Sequence, residues 1–523
     1  MTQELTSSNK HNINPPLCAQ SIIAFGAMVL GMFMAILDIQ IVASSLSVIA
    51  AGLCASPDEL SWIQTAYLIA EVIVIPITGF LAKTLSTRLS YFFAAAGFTV
   101  MSFCCALASN IEMMICFRFF QGLFGGAMIP TVFGTVYTVF PPEKRSLVSI
   151  CIGLVVTIAP TLGPTIGGYV TDVFSWHFMF LLNIAPGILV CVVVFLYANF
   201  DSPNFALLKN FDYFGMFCMT CALATLQYLL EEGNKLQWFD SGLIIALAII
   251  SFVFFTLWIA WEAVLCPHPI VDLSAFKNKD FSFACIYSFT IGIGLYGAVY
   301  ILPLFLFSVA RLNTIQIGTT MMVTGCAQFL SAPLAGRLLA TDIDLRKMLA
   351  FGLVLFSIGC YYNSFLTPES RFHELLLPQF LRGFAMMFCF LPTNIIALGN
   401  LPREVVQNAS GLYNLTRNLG GAVGLAIIST IITSKTAIAQ QYLNENITQT
   451  DSLRLPIINS FGSLFQQAQD DASLKLFSAV VARDAFVIAM NDTFCIIALL
   501  FIACLLFLPF TSVTKNVKGV DSH

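Results

Sequence analysis

Four ionisable residues stand inside long apolar runs of this chain: Asp38, Glu71, Arg118 and Arg382. A charge at the centre of a hydrocarbon layer costs about 2.5–3.5 kcal/mol on insertion scales, so such residues are normally paired and functional. Two acids and two bases come close to neutralising one another, which argues against accidental placement. Asp38 reads either as a proton or cation site facing a cavity or as the structural partner of Arg118. Glu71 follows Tyr67 by four residues and shares its helical face. It reads as a coupling or substrate contact, or as a polar bond between helices. The two arginines read as partners of these acids or as packing donors to backbone carbonyls.

A second constellation is the stretch Ala159-Pro160-Thr161-Leu162-Gly163-Pro164-Thr165-Ile166-Gly167-Gly168. Gly and Pro are costly inside soluble helices. In a membrane helix they are tolerated, because small residues let neighbours approach and other groups satisfy the freed backbone. Gly163, Pro164, Gly167 and Gly168 do no acid–base chemistry, and their expected role is close packing where two halves of a moving bundle meet. No P-loop run is present in the sequence, so ATP is not the expected energy source. Nor does any nucleophile, metal-ligand or cofactor motif point to an enzyme, and no cofactor is expected.

The elements that carry these residues are apolar helices. The chain has 523 residues, 58% hydrophobic and 10% charged, with mean hydropathy +0.86. Soluble domains carry about 25% charged residues. Here the charges fall in short gaps between apolar runs of about twenty residues, the length that crosses a bilayer as helix. A β-barrel is excluded, because its strands alternate and give no such runs. The net charge of −4 and the lack of a basic patch give no sign of nucleic-acid binding. The polar start lacks the pattern of a cleaved signal peptide. The sixteen cysteines are scattered through apolar segments, Cys218 and Cys221 included, and read as small packing residues.

Fourteen spans are expected, at 22–46, 59–82, 90–108, 112–139, 146–170, 178–198, 212–231, 241–262, 282–309, 315–340, 347–365, 373–399, 404–434 and 489–511. An even number places both termini on one side. With that side cytoplasmic, inner segments carry fourteen Lys and Arg, among them Lys83, Arg88, Lys144, Arg145, Arg346 and Lys347. Short outer loops carry only Lys235, Arg311 and Arg371, which fixes the orientation by the positive-inside rule. Phe117-Arg118-Phe119-Phe120-Gln121-Gly122 in span 4 returns as Pro378-Gln379-Phe380-Leu381-Arg382-Gly383 in span 12. Both copies are followed by a helix proline, Pro130 or Pro392, and exit on the same side, so the repeat is parallel. The resulting division is a tail 1–21, a six-helix bundle 22–198, two extra spans and a linker 199–281, a second six-helix bundle 282–511 and a tail 512–523. The linker, residues 263–281, is expected to hold a short interfacial helix. The large outer loop 435–488, with apolar Leu464, Phe465, Leu474, Leu476 and Phe477, reads as a cap or as a docking surface.

Several motifs in order along the chain resemble a known family. Leu37-Asp38 matches a first-helix motif, Gly79-Phe80-Leu81-Ala82-Lys83 with Arg88 a loop 2–3 gating motif, and Arg118 to Gly122 a span 4 motif. Gly163-Pro164 with Gly167-Gly168 matches an antiporter motif in span 5. Trp176-His177-Phe178, Pro269-Ile270-Val271-Asp272-Leu273 and Leu415-Thr416-Arg417-Asn418 continue the match. Together they resemble the fourteen-span drug:proton antiporters of the major facilitator superfamily, the EmrB/QacA type, and most closely its EmrB branch. Lys83 stands where the wider superfamily has an aspartate, and Gln40, Ser44 and Ser45 depart from the usual first helix.

The resemblance implies an all-α polytopic membrane protein of the major facilitator fold, with two six-helix bundles and two central extra helices. It implies proton-coupled export of lipophilic or amphipathic small molecules across a bacterial inner membrane by alternating access. Arg118 would sense the protonated acid. Partners implied are a periplasmic adaptor and an outer-membrane channel, besides protons, substrate and lipid. A dedicated carrier of one metabolite, such as a siderophore, and a non-transporting receptor remain as alternatives. His177 reads as interfacial, Glu262 and Asp272 read as structural, Asp492 beside Asn491 points neither way, and a few phenylalanines of spans 1, 2, 4, 5 and 11 are expected to line an apolar cavity.

Overall fold

The computed structural model describes residues 19–512, apart from 57–58, 60, 268, 340, 342 and 447–469. Among these residues the chain folds into long helices: α1 (Ala19–Gly52), α2 (Trp62–Leu85), α3 (Thr87–Ala106), α4 (Ile111–Val139), α5 (Pro142–Val173), α6 (His177–Tyr197), α7 (Tyr213–Glu232), α8 (Gly242–Leu265), α9 (Lys279–Ser308), α10 (Thr314–Leu339), α11 (Leu345–Asn363), α12 (Phe372–Leu398), α13 (Arg403–Asn446) and α14 (Asp470–Cys504). Thirteen of these are apolar and long enough to cross a membrane. The exception is α10, which packs between α5 and α12.

The packing repeats with an offset of eight helices. α1 lies on α5, α2 on α4, α3 on α4 and α6; correspondingly α9 lies on α13, α10 on α12, α11 on α12 and α14. Two six-helix bundles result, and α7 and α8 stand outside both as an antiparallel pair. Prolines mark the bends. Pro76 sits in a 3-10 step that breaks α2 between Val74 and Thr78, and Pro130, Pro160, Pro164, Pro303, Pro333, Pro378 and Pro392 lie within helices.

Close approach of backbones explains the repeated glycine. A Cβ on Gly122 would meet the carbonyl oxygen of Tyr67 and lie 2.9 Å from its Cα. In the second bundle a Cβ on Gly383 would meet the backbone of Thr324 in the same way. Each glycine thus sets the distance between the fourth helix of its bundle and the second.

The last two spans differ from expectation. α13 runs on to Asn446 and α14 begins at Asp470, so both helices enter the segment expected as an outer loop. Residues 435–446 include Lys435, Ala437, Ala439, Gln440, Gln441, Leu443 and Glu445, good helix formers, and an apolar run marks where the bilayer ends rather than where the helix ends. Leu464 and Phe465, and the side chains of Leu474, Leu476 and Phe477, lie outside the described residues, as do most of both tails. The linker holds a 3-10 turn, Leu273–Lys277, capped by Asp272, which accepts from Ser274 N at 2.9 Å. The described cysteines are free thiols.

Substituting Gly122→Ala is expected to cost about 1–3 kcal/mol, the usual range for overpacking. Gly26→Ala, where nothing lies within 4 Å of the new carbon, should leave stability unchanged or slightly raised. Thermal melting of the two variants in the same detergent checks the contrast.

Candidate functional site

In the first bundle Asp38 and Arg118 form a closed ion pair. Arg118 Nη1 lies 2.6 Å from Asp38 Oδ2, and both side chains are almost wholly buried. Asp38 Oδ1 accepts from Asn183 Nδ2 at 2.8 Å and from Gln121 Nε2 at 3.3 Å. Gln121 also accepts from Arg118 Nη1 and donates to Ser102 Oγ, each at 2.7 Å. Arg118 Nε donates to the Ile63 carbonyl at 3.2 Å, and the guanidinium lies 4.3 Å from the centre of the Tyr67 ring. Helices α1, α2, α3, α4 and α6 therefore converge on one charge pair. The partners Ser102, Gln121 and Asn183 were not singled out in the sequence; only Gln121, inside the repeated motif, carried a signal.

Glu71 faces elsewhere. Its Oε1 accepts from Asn418 Nδ2 at 3.0 Å, which ties α2 of one bundle to α13 of the other. Glu71 lines a cavity of about 540 Å³ between the bundles, within the range of small-molecule sites. The walls are mostly aliphatic, with Gln40, Pro164, Tyr296, Tyr300 and Phe307 among them. The aromatic lining thus comes from α9, not from the helices expected to supply phenylalanines. α7 lies in the wall as well, through Gln227, Leu230 and Glu231. Glu231 was missed in the sequence because it closes an apolar run, where an acid reads as the start of a loop.

The bundles interlock on the face where α1 begins, here the tail face. There Ser410 Oγ donates to the Pro130 carbonyl at 3.0 Å and Tyr137 Oη to the Asn394 carbonyl at 3.3 Å. Gly79 abuts the backbone of Asn408, whose Cα lies 2.8 Å from the position of a Cβ on the glycine. Arg417 sits between the Phe133 and Phe390 rings, 5.4 and 5.7 Å from their centres, and donates to Asn414 Oδ1 at 2.6 Å. The cavity lies toward the opposite, far face, where α2 and α13 separate. α7 covers that seam, with Tyr228 5.3 Å from Trp62 of the first bundle. Just beyond α7, Asn234 Nδ2 and Trp238 Nε1 donate to Thr433 and Thr430 of the second bundle at 3.2 and 2.8 Å.

The remaining candidates fall in different places. Arg382 is buried in the second bundle, against Gly359 and 5.9 Å from the Phe494 ring, and does not line the cavity. When the repeats are aligned on Gly122 and Gly383, Arg382 takes the position of Gln121, and Gln379 that of Arg118. Two acids and two bases therefore do not gather into one cluster. The span 5 motif is likewise divided. Gly163 packs on Gln40 of α1 in its own bundle, and Pro164 lines the cavity. Gly167 and Gly168 are buried, and their carbonyls accept from Thr171. Contact with the other bundle comes from Thr161, beside Gly325 of α10, and from Thr165, whose Oγ1 donates to the Gly318 carbonyl at 3.1 Å. Lys83 is half-buried at the end of α2. Arg88 donates to Asn199 Oδ1 at 2.6 Å and lies over Phe195, within the first bundle. Beside it Asp201 caps α3, accepting from Thr87 N at 2.9 Å and from its hydroxyl at 2.8 Å. Burial raises the Asp201 carboxyl above its ordinary range, against the lowering effect of these bonds.

His177 stacks on Trp176, and Asp492 pairs with Lys435 at 3.2 Å. Glu262 accepts from Trp258 Nε1 at 3.4 Å. All three lie away from the cavity lining.

Removing one member of a buried ion pair leaves an uncompensated charge, a loss of about 3–5 kcal/mol. Asp38→Asn alone should therefore melt far below the wild type, and Asp38→Asn with Arg118→Gln should recover much of the loss. Strict additivity in this double-mutant cycle, read by thermal melting, would remove the pair as a source of stability.

The family profile described as Major Facilitator Superfamily matches residues 28–425. The colistin resistance protein EmrB of Acinetobacter baumannii is 41% identical over 474 residues, covering 90% of this chain and 91% of that protein. The multidrug export protein EmrB of Escherichia coli is 30% identical over 430 residues, covering 82% and 83%. Among solved structures, the proton:xylose symporter XylE superposes with a TM-score of 0.60 over 95% of this chain and 97% of that one, at 12% identity, a likeness of fold alone. Fold, repeat, polar core and relatives agree: the chain belongs to the Major Facilitator Superfamily, among its EmrB-type multidrug transporters, and is a transporter rather than an enzyme.

Proposed function

We propose that this protein exports lipophilic or amphipathic small molecules, drugs included, in exchange for protons, by alternating access. The observation that carries this reading is the cavity between the bundles, with Glu71 in its wall bonded to Asn418 of the opposite bundle. Mostly apolar walls suit the apolar body of a cargo, and the polar groups among them, Glu71, Gln227, Glu231 and Asn418 included, suit a polar end. A 41% identical relative is named for colistin resistance, and FarB of Neisseria gonorrhoeae, 30% identical, for fatty acid resistance; both kinds of compound are amphipathic.

Coupling follows from the cross-bundle bond. A hydrogen bond to an ionised carboxylate contributes about 1.5–3 kcal/mol, and protonating Glu71 weakens it. A change of about 2 kcal/mol shifts a two-state balance roughly thirtyfold. Protonation thus loosens the α2–α13 seam, whereas the sealed Asp38–Arg118 pair holds the first bundle rigid. The charge bias of the loops favours a cytoplasmic tail face in the inner membrane, which directs the cavity outward. An adaptor and an outer-membrane channel would then receive the cargo on that side.

The test uses purified protein in liposomes with an imposed pH gradient, reading proton movement on adding lipophilic drugs. Drug-evoked proton movement is expected in the wild type and should fall at least about tenfold in Glu71→Gln. Proton movement unchanged in Glu71→Gln would take coupling away from this residue. Silence of the wild type across chemically diverse drugs would favour a carrier dedicated to one metabolite.

A further inference from the structure

The two carboxylates of the cavity stand at different depths. Tyr296 of α9 is within electrostatic range of Glu71, and Tyr300 within range of Glu231. Four residues of helix advance by about 6 Å, so Glu231 lies nearer the far face by about one turn. Gln227, four residues before Glu231 on the same face of α7, donates to its Oε1 at 3.1 Å. Gln227 is 1% exposed, and its own Oε1 has no hydrogen-bond partner among the described residues.

No lysine, arginine or histidine lines the cavity among the described residues. Arg118 is paired with Asp38 and Arg417 is held between two rings; both lie within electrostatic range of Glu71, the deeper acid, and neither lines the cavity. The neighbouring Glu232, not Glu231, faces Lys235, at 3.7 Å. The outer part of the cavity therefore presents Glu231 and an acceptor oxygen in an apolar wall, with no cation in the described lining to offset them. A carboxylate so placed is costly within a membrane span unless a positive charge joins it.

We propose that Glu231 and Gln227 of α7 form the outer cation subsite of the cavity and hold the protonated amine of a cationic amphipathic cargo. This rests on the cavity being the cargo site. The amine donates to Glu231 and to the vacant Gln227 oxygen. The apolar body of the cargo lies against Leu230, Val299, Leu304 and Phe307. Glu71 remains deeper, as the group that exchanges protons. One of the two extra helices thereby sets charge preference, and it does so without contributing to the Asp38–Arg118 core.

The test is equilibrium binding to the intact chain in lipid nanodiscs at neutral pH. The probes are a fluorescent aryl-alkylamine and its N-acetylated counterpart, which keeps the apolar body and loses the charge. In Glu231→Gln the amine should bind at least about tenfold more weakly, with the acetylated probe unchanged. Glu232→Gln should leave the amine within about twofold of wild type, because that carboxylate faces Lys235 instead. Unchanged amine binding in Glu231→Gln would overturn the proposal, and so would an equal loss for both probes, which signals a distorted cavity. Drug-evoked proton movement with an uncharged cargo separates the two readings. Its retention in Glu231→Gln, with amine binding unaffected, overturns the subsite and leaves the exporter standing. Charge-selective binding without any transport by the wild type does the reverse.

Discussion

Arg118 is fully buried, and most of the first bundle is arranged around the need to neutralise it. A guanidinium away from water requires both an opposite charge and acceptors for its remaining donors. Asp38 supplies the charge from α1, Gln121 and the Ile63 carbonyl supply acceptors, and Asn183 and Ser102 satisfy what Asp38 and Gln121 have left. Five helices are fixed relative to one another by this set. The close contact of Gly122 with Tyr67 is part of the same arrangement, because it brings the Tyr67 ring under the guanidinium. A bundle tied in this way would move as a body, as the proposed rocking about a central cavity requires.

The second bundle repeats the backbone and not the charges. Gly383 meets Thr324 as Gly122 meets Tyr67, but Arg and Gln have exchanged places in the preceding turn. Gln379 accepts from Thr324 Oγ1 at 2.7 Å, a neutral bond where the first bundle has an ion pair. Arg382, one residue before the glycine, is directed toward Phe494 and Gly359 within the second bundle. Packing is thus symmetric and charge is not, and among the described residues the cavity lining holds acids and no bases.

The sequence made the membrane fold legible because the penalty for a charge in hydrocarbon leaves a pattern that composition cannot hide. Asp38, Glu71 and Arg118 stood out for that reason. Neutral partners did not: Ser102, Asn183 and Asn418 cost little in a membrane helix and so carry no comparable signal. Arg382 was grouped with Arg118 because their motifs look alike, whereas register on the glycine separates them. Glu231 was hidden by its position at the end of an apolar run, beside Glu232 and before Lys235, where charges are ordinary. The lengths of α13 and α14 were hidden too, since hydropathy reports the bilayer and not helix propensity.

The placement of α7 and α8 follows from topology. α6 ends and α9 begins on the tail face, so an inserted pair of helices must go out and return, and an even number keeps the two bundles parallel. A single inserted helix would invert the second bundle. Of the pair, α7 meets both α2 and α13, whereas α8 packs mainly on α7, where Ser251 Oγ donates to the Ala222 carbonyl at 3.2 Å. α7 therefore covers the seam that the proposed alternating access would rearrange. Besides its packing on α13, two neutral bonds among the described residues tie its far end to the second bundle, from Asn234 and Trp238 to threonine hydroxyls. Bonds of this kind contribute about 0.5–1.5 kcal/mol each, small beside the buried ion pair. On the proposed mechanism the seam would be released while the first bundle stays intact, and the helix that covers it would travel with the bundle on which it packs more extensively.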